Sequence, residues 1–219
     1  GIGKRKFIQD MHLIRNMKYC VDELKNIICV YPEARYTFDG TQCYIPPSVG
    51  KMAKLLKVPV VLLMAEGNFI CCPQWNKDRF YKRPAPCKAK LICVADAGEV
   101  NSLSAEEINA RIAKEFVYDD FAYQYQNKIS LTFAQRARGL HRILYQCCEC
   151  GTEFKMYSSG TTLECRHCGK KWEMTEYGRL EAHDGATRFA HIPDWYRWER
   201  ENVFAEVEAG TYCIEDDVT

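Results

Sequence analysis

The sequence carries no surplus charge: 30 basic residues face 29 acidic ones, for a net of +1. That balance excludes bulk attraction to nucleic acid or to an anionic membrane and leaves only local clusters to act that way. It also lacks a long apolar run. The longest near-continuous stretch, residues 58–65, falls far short of the ~20 residues that span a bilayer. No signal peptide pattern is visible, and neither are low-complexity segments or repeats beyond one pair of cysteine turns. Cysteine itself is plentiful. There are 13, an odd number, many set in apolar strings such as Ile27-Ile28-Cys29-Val30 and Phe69-Ile70-Cys71-Cys72. That usage fits buried free thiols in a reducing, cytoplasmic compartment better than a disulfide framework. With 219 residues, 47% of them hydrophobic, the chain has room for one domain of ordinary size and a small module. It begins at Gly1 rather than Met, which is read as a start partway through a longer protein.

Apolar residues at three- and four-residue steps (Phe7, Met11, Ile14, Met17, Val21, Leu24) predict a helix over 7–25. Residues 27–31 read as a short buried strand ended by Pro32, and residues 32–47 as a loop. A second helix over 48–57 and a second buried strand over 58–64 follow, giving the rhythm of a parallel α/β sheet. Residues 73–87 read as surface loop and 88–96 as a further strand. Ser104 with Glu107 forms a capping box for a helix that runs to about residue 117, and Asp119-Asp120 open another. Residues 131–145 have a helical pattern (Phe133, Ala137, Leu140, Leu144) and are basic at Arg136, Arg138 and Arg142. The expected fold class is α/β, a partial mixed or parallel sheet with flanking helices, plus a small zinc-ribbon β module.

That module rests on Cys147-Cys148-Glu149-Cys150-Gly151 and Cys165-Arg166-His167-Cys168-Gly169. Two Cys-x-x-Cys-Gly turns provide the four thiolates of a tetrahedral site, and the glycine permits the bend that follows each. Cys147, Cys150, Cys165 and Cys168 are the candidate ligands. Cys148 is the rival at the first position, but a Cys-x-Cys spacing would break the symmetry with the second turn, and His167 sits inside its turn, directed away from the sulfurs. Zinc is the default ion and iron the second choice. A closed ligand set makes the role structural, worth ~10–16 kcal/mol at neutral pH to a module with almost no core of its own. Residues 157–162 read as the turn between its hairpins.

A carboxylate and a guanidinium, Glu33 and Arg35, follow the strand read at 27–31. In open α/β sheets ligands gather beyond the carboxyl ends of strands. An arginine fork suits a phosphate, while a glutamate accepts hydrogen bonds from hydroxyls or orients the arginine. On spacing alone the pair reads as a surface loop with an incidental ion pair. The surrounding order changes that weighting. Ile28-Cys29-Val30-Tyr31-Pro32-Glu33-Ala34-Arg35, then Asp39-Gly40, Val49-Gly50-Lys51-Met52-Ala53 and Val58-Pro59-Val60-Val61 resemble the glycerophospholipid acyltransferase family, the lysophosphatidate acyltransferases. Its strand ends in Phe-Pro-Glu-Gly-Thr-Arg and is followed by a loop, a helix and a Val-Pro-Val-Val strand; Ala34 stands here where the family has Gly-Thr. The resemblance covers about residues 1–130. It implies acyl transfer from a thioester donor, acyl-coenzyme A or acyl-carrier protein, to a lysophosphatidate-like acceptor. By the same resemblance Arg5 or Lys6 of Gly3-Lys4-Arg5-Lys6-Phe7 would join Arg35 in holding the phosphate. The family's general base, the histidine of His-x-x-x-x-Asp, has no counterpart: five residues on from His12, His141, His167, His183 and His191 stand Met17, Gln146, Trp172, Arg188 and Tyr196. No residue of this chain is therefore nominated as catalytic, and the chain is read as retaining the substrate-binding half.

The domain reading is thus an acyltransferase-like part over 1–130, a helical connector over 131–145, the zinc ribbon over 146–174 and an aromatic-rich tail over 175–219. Arg166, Lys170, Lys171 and Trp172 make a small basic, aromatic patch opposed by Glu149, Glu153, Glu164, Glu173 and Glu176, so nucleic acid is disfavoured against a scaffold or contact role. Trp195-Tyr196-Arg197-Trp198 is read as packing an amphipathic helix onto the body of the protein, with a peripheral contact at the inner face of the membrane as the other reading. The rival function is a non-enzymatic zinc-ribbon module that binds nucleic acid or a protein partner.

Overall fold

The computed structural model describes residues 11–33, 35–76 and 85–214. The protein is mixed α/β and divides into two compact units interleaved along the chain. Of the described residues, the first draws on those up to Arg35, on Cys43–Met64 and on Lys90–Val117; the second draws on Tyr36–Gln42, Ala65–Ala89 and those from Tyr118 on.

The first unit holds helices α1 (Met11–Asp22) and α2 (Ser48–Leu56), then most of strands β1 (Val60–Glu66) and β2 (Lys88–Ala95), which pair as a two-stranded sheet. Helices α4 (Ala97–Ser102) and α5 (Ala105–Glu115) follow β2; α3 (Asn68–Cys71) belongs to the second unit. Helices α4 and α5 both start at complete capping boxes, Asp96 with Glu99 and Ser104 with Glu107, which satisfy N–H groups a helix start leaves unpaired. Ala53, Val94, Ala95, Val100, Ile108 and Ile112 form the core, with Val60 and Leu62 packed against it. Val61 and Leu63, one position out of phase on β1, face solvent, as the two-residue period of a strand requires.

The strand expected at 27–31 does not form. These residues are irregular and largely exposed, Ile27 at 95% and Tyr31 at 84%. An apolar run becomes a strand only where a neighbour takes its N–H and C=O groups. Among the described residues β1 and β2 pair only with each other.

In the second unit α3 and α6 (Asp120–Gln126) lead into the ribbon and the long C-terminal helix α7 (Ile192–Ala209). Asp120 is buried and accepts from the N–H groups of Gly67 (3.0 Å) and Phe69 (2.6 Å) at the start of α3. Residues 131–145 are not an α-helix: they run through successive turns to a short 3-10 helix, Leu140–Arg142. Ala137, Leu140 and Leu144 are buried as their period suggested, and Phe133 is half-buried, but the backbone donors are spent elsewhere. Ala137 N–H goes to the Gly160 carbonyl (3.0 Å) and Gly139 N–H to the Ser158 hydroxyl (3.0 Å).

The ribbon is a four-stranded antiparallel meander, β3 (Met156–Ser159), β4 (Thr162–Cys165), β5 (Lys171–Met174) and β6 (Leu180–Ala182), in that spatial order. Ser159 pairs with Thr162, so the turn expected over 157–162 is confined to Gly160 and Thr161. Strand β6 carries the sheet beyond residue 174. The module also has a substantial core: Met156, Leu163, Trp172, Met174 and Leu180 join one buried cluster with Leu140, Leu144, Ile192 and Trp195.

Candidate metal centre and the predicted substrate residues

The structure brings Cys147, Cys150, Cys165 and Cys168 together, with all four sulfurs within 4.8 Å of one another. Cys147–Cys168 and Cys150–Cys165 are each separated by 3.8 Å between sulfurs. A tetrahedron with Zn–S bonds of ~2.3 Å has edges of about 3.8 Å, which those two separations match. The two turns are built alike. Gly151 N–H bonds the Cys147 carbonyl and Gly169 N–H the Cys165 carbonyl, each at 2.9 Å; Cys147 N–H reaches Thr152 O and Cys165 N–H reaches Lys170 O. Gly151 and Gly169 hold φ of 73° and 77°, a region that disfavours a Cβ. Cys148 is buried and outside the cluster, and His167 is exposed and outside it as well.

Cys147 and Cys150 are pushed in opposite directions without an ion. Burial pushes Cys147 far up. At Cys150 burial also acts upward, but hydrogen bonds from the Thr152 hydroxyl and backbone and from Cys147 and Cys168 outweigh it and bring it to about 6. A divalent cation resolves the conflict by stabilising all four as thiolates. No coordination position is left for a substrate, so the centre is structural.

The first turn is gripped from outside the ribbon, by residues of which the sequence singles out only Trp195. Trp195, Glu199 and Asn202 lie on one face of α7 and converge on Gln146, the residue before Cys147. Glu199 Oε1 accepts the Gln146 N–H (2.8 Å), the Trp195 indole N–H donates to its carbonyl (3.0 Å), and Asn202 Nδ2 donates to its side-chain oxygen (2.7 Å). Arg188 donates to the Cys148 carbonyl (2.6 Å). The repeat of Trp195, Glu199 and Asn202 at steps of four and three was the one available signal. Burial lifts Glu199 from 4.5 to about 8, with the Gln146 and Tyr145 N–H groups acting against it. Trp172 and Trp195 are fully buried and meet edge to face at 4.9 Å. Trp172 is thus unavailable as a stacking platform, which corrects the basic, aromatic patch read around it. Its basic members are also engaged: Lys171 with Glu164 (3.4 Å) and Lys170 with Asp184 (3.3 Å). The Trp195 cluster packs a helix, as expected.

Of the substrate candidates, Arg5 and Lys6 lie outside the described residues. Glu33 accepts the N–H of Cys43 through Oε1, which closes the loop between them, and Arg35 is exposed. A groove of about 430 Å³ lies in the second unit against α7 and is lined by Asp39, Thr41, Tyr196, Arg200 and Phe204 among others, not by Glu33 or Arg35.

The histidines are surface or packing residues, as read. His12, His167 and His183 are exposed. His141 Nδ1 pairs with the Ser158 hydroxyl at 2.8 Å, and that oxygen also accepts from the Gly139 N–H. His191 meets Asp119 at 2.7 Å. Burial works against ionisation of Asp119, yet this bond and the Ala122 N–H hold its carboxyl below the usual range. The second ring nitrogen of His191 is buried without a partner, and the dyad ties the start of α6 to the start of α7. No helix among the described residues is long and apolar enough to cross a membrane.

No protein-family model, curated protein or solved structure matches the chain.

Proposed function

We propose that the protein serves acyl transfer in phospholipid biosynthesis, binding the anionic end of a lysophosphatidate-like acceptor that takes an acyl group from acyl-coenzyme A or acyl-carrier protein. The ordered set of motifs from residue 28 to residue 61 supports this reading. The observation that carries it is the amphiphilic character of the loop. Glu33 and Arg35 are bracketed by side chains left in solvent, Ile27, Tyr31 and Tyr44, the last 72% exposed. Exposed apolar surface beside a guanidinium suits a ligand that is itself half lipid and half phosphate, and it also suits peripheral contact at the inner face of a membrane. Arg35, with Arg5 or Lys6, takes the phosphate. Glu33 acts as a positioning residue: by closing the loop on Cys43 it sets where Arg35 leaves the backbone. The proton-accepting histidine is assigned to no residue of this sequence, and the zinc centre holds the second unit together rather than acting on substrate.

Calorimetry with a short-chain, monomeric lysophosphatidate tests this, with the matching lysophosphatidylcholine as control. Arg35→Ala should weaken lysophosphatidate binding about 30-fold, the equivalent of ~2 kcal/mol for a lost charged hydrogen bond. Unchanged binding removes the phosphate assignment. Failure to bind together with zinc-dependent binding of an oligonucleotide or protein would favour the non-enzymatic ribbon, although the burial of Trp172 weighs against nucleic acid.

A further inference from the structure

Outside the metal centre, a second pair of cysteines is brought together. Cys71 ends α3 and Cys87 immediately precedes β2, yet their sulfurs lie 3.6 Å apart. Both converge on the same two carbonyls: Cys71 lies 3.4 Å from Gly67 O and 3.7 Å from Ala85 O, and Cys87 lies 3.5 Å and 3.7 Å from the same atoms. The convergence is built into the backbone. Gly67 holds φ of 82°, and a Cβ there would fall 2.8 Å from the Pro86 carbonyl, so only glycine lets the segment carrying Cys87 come this close. The corner is fixed in turn by Asp120, which accepts from Gly67 and Phe69. Neither sulfur belongs to the four-cysteine cluster.

We propose that Cys71 and Cys87 form a reversible disulfide, made by exchange with a low-molecular-weight disulfide such as oxidised glutathione. Cys87 is exposed and Cys71 half-buried, so Cys87 reacts first. Its thiolate attacks one sulfur of the oxidant, releases one thiol and leaves a mixed disulfide on Cys87. Cys71, having given up its proton, then attacks the Cys87 sulfur and expels the second thiol. One small disulfide is thus reduced to two thiols while two protein thiols are oxidised to one disulfide. Burial and then the adjacent Cys87 thiol push Cys71 up to about 11; once Cys87 is capped, its own negative charge no longer opposes ionisation of Cys71, so the first step enables the second.

The zinc-loaded full chain is equilibrated in glutathione buffers of rising oxidised fraction, then acid-quenched, alkylated and digested without reduction for mass spectrometry. The expected product is a linked Cys71–Cys87 peptide pair, with both thiols lost together, zinc retained, and reversal by a dithiol. In Cys71→Ser, Cys87 should instead accumulate as the glutathione mixed disulfide. In Cys87→Ser, oxidation of Cys71 should fall at least tenfold at the same buffer. A dominant link from either cysteine to Cys72 or another residue overturns the pairing. So does finding both thiols still alkylated when the zinc ligands have already oxidised. Absence of the mixed disulfide in Cys71→Ser overturns the order of attack.

Discussion

Glu199 offers a test of the way α7 holds the metal turn. It has no exposed surface, one oxygen on the Gln146 N–H and the other without a partner. Its pKa rises from 4.5 to about 8, mainly through burial. Between those values the native state keeps a proton that the unfolded chain releases, so stability falls as pH rises, is fully retained below about 4.5, and stops falling above about 8. At ~1.4 kcal/mol per pH unit the whole loss is on the order of 5 kcal/mol, with about 3 kcal/mol of it between pH 5.5 and 8. Glu199→Gln keeps the shape and the acceptor for Gln146 and removes the titration. Urea unfolding followed by tryptophan fluorescence, at a fixed excess of zinc, should therefore find the variant more stable by about 1.4 kcal/mol near pH 5.5 and by about 4 kcal/mol near pH 8. Taking the difference at each pH cancels the pH dependence of zinc binding and that of Glu153, which is itself raised, mainly by burial. Glu199→Ala should cost ~2–4 kcal/mol near pH 5.5, because it orphans the Gln146 N–H and leaves a cavity. A Gln-minus-wild-type difference that stays flat from pH 5.5 to 8.5 would refute the buried, protonated carboxyl.

Native and denaturing mass spectra should differ by one zinc per chain, and a strong chelator should unfold the ribbon, since metal binding supplies ~10–16 kcal/mol there; equal masses would remove the metal. Trp195→Ala should cost about 3–5 kcal/mol in urea melts, because it empties a fully buried site against Trp172; a loss under 1 kcal/mol would mean the two indoles are not packed as described. For the proposed acyl transfer, Arg35→Ala should raise KM for the lysophospholipid while leaving the thioester donor's KM unchanged; an unaltered acceptor KM would count against the phosphate role.

What was legible in the sequence was local. The metal ligands sit in two turns whose hydrogen bonds close within five residues, and the Ser104–Glu107 capping box closes within three. Helix α2, and strands β1 and β2 to within a residue or two, appear where periodicity put them. What failed depended on distant partners. Residues 27–31 have the composition of a strand but find no neighbour. Residues 131–145 have a helical period, but their donors are taken by Ser158 and Gly160, a competition no local pattern reports. Glu199 reads as one more surface acid on an amphipathic helix until Gln146 is seen opposite it. Trp172 follows two lysines and looks like part of a basic surface, yet strand alternation turns it inward while Lys171 points out.

Trp195 explains why the ribbon is not an appended module. Its ring packs on Trp172 of β5, four residues beyond Cys168, and its indole N–H bonds the carbonyl of Gln146, one residue before Cys147. Both contacts are made with the four sulfurs gathered within 4.8 Å of one another. An ion bound there would brace the surface on which α7 docks, and Ile192, Trp195 and Glu199 carry that surface to the core shared with Leu140, Leu144 and Leu180. Losing the ion should accordingly be felt along α7 as well as at the cysteines, and the helix should protect its amides from exchange only while the four thiolates are held.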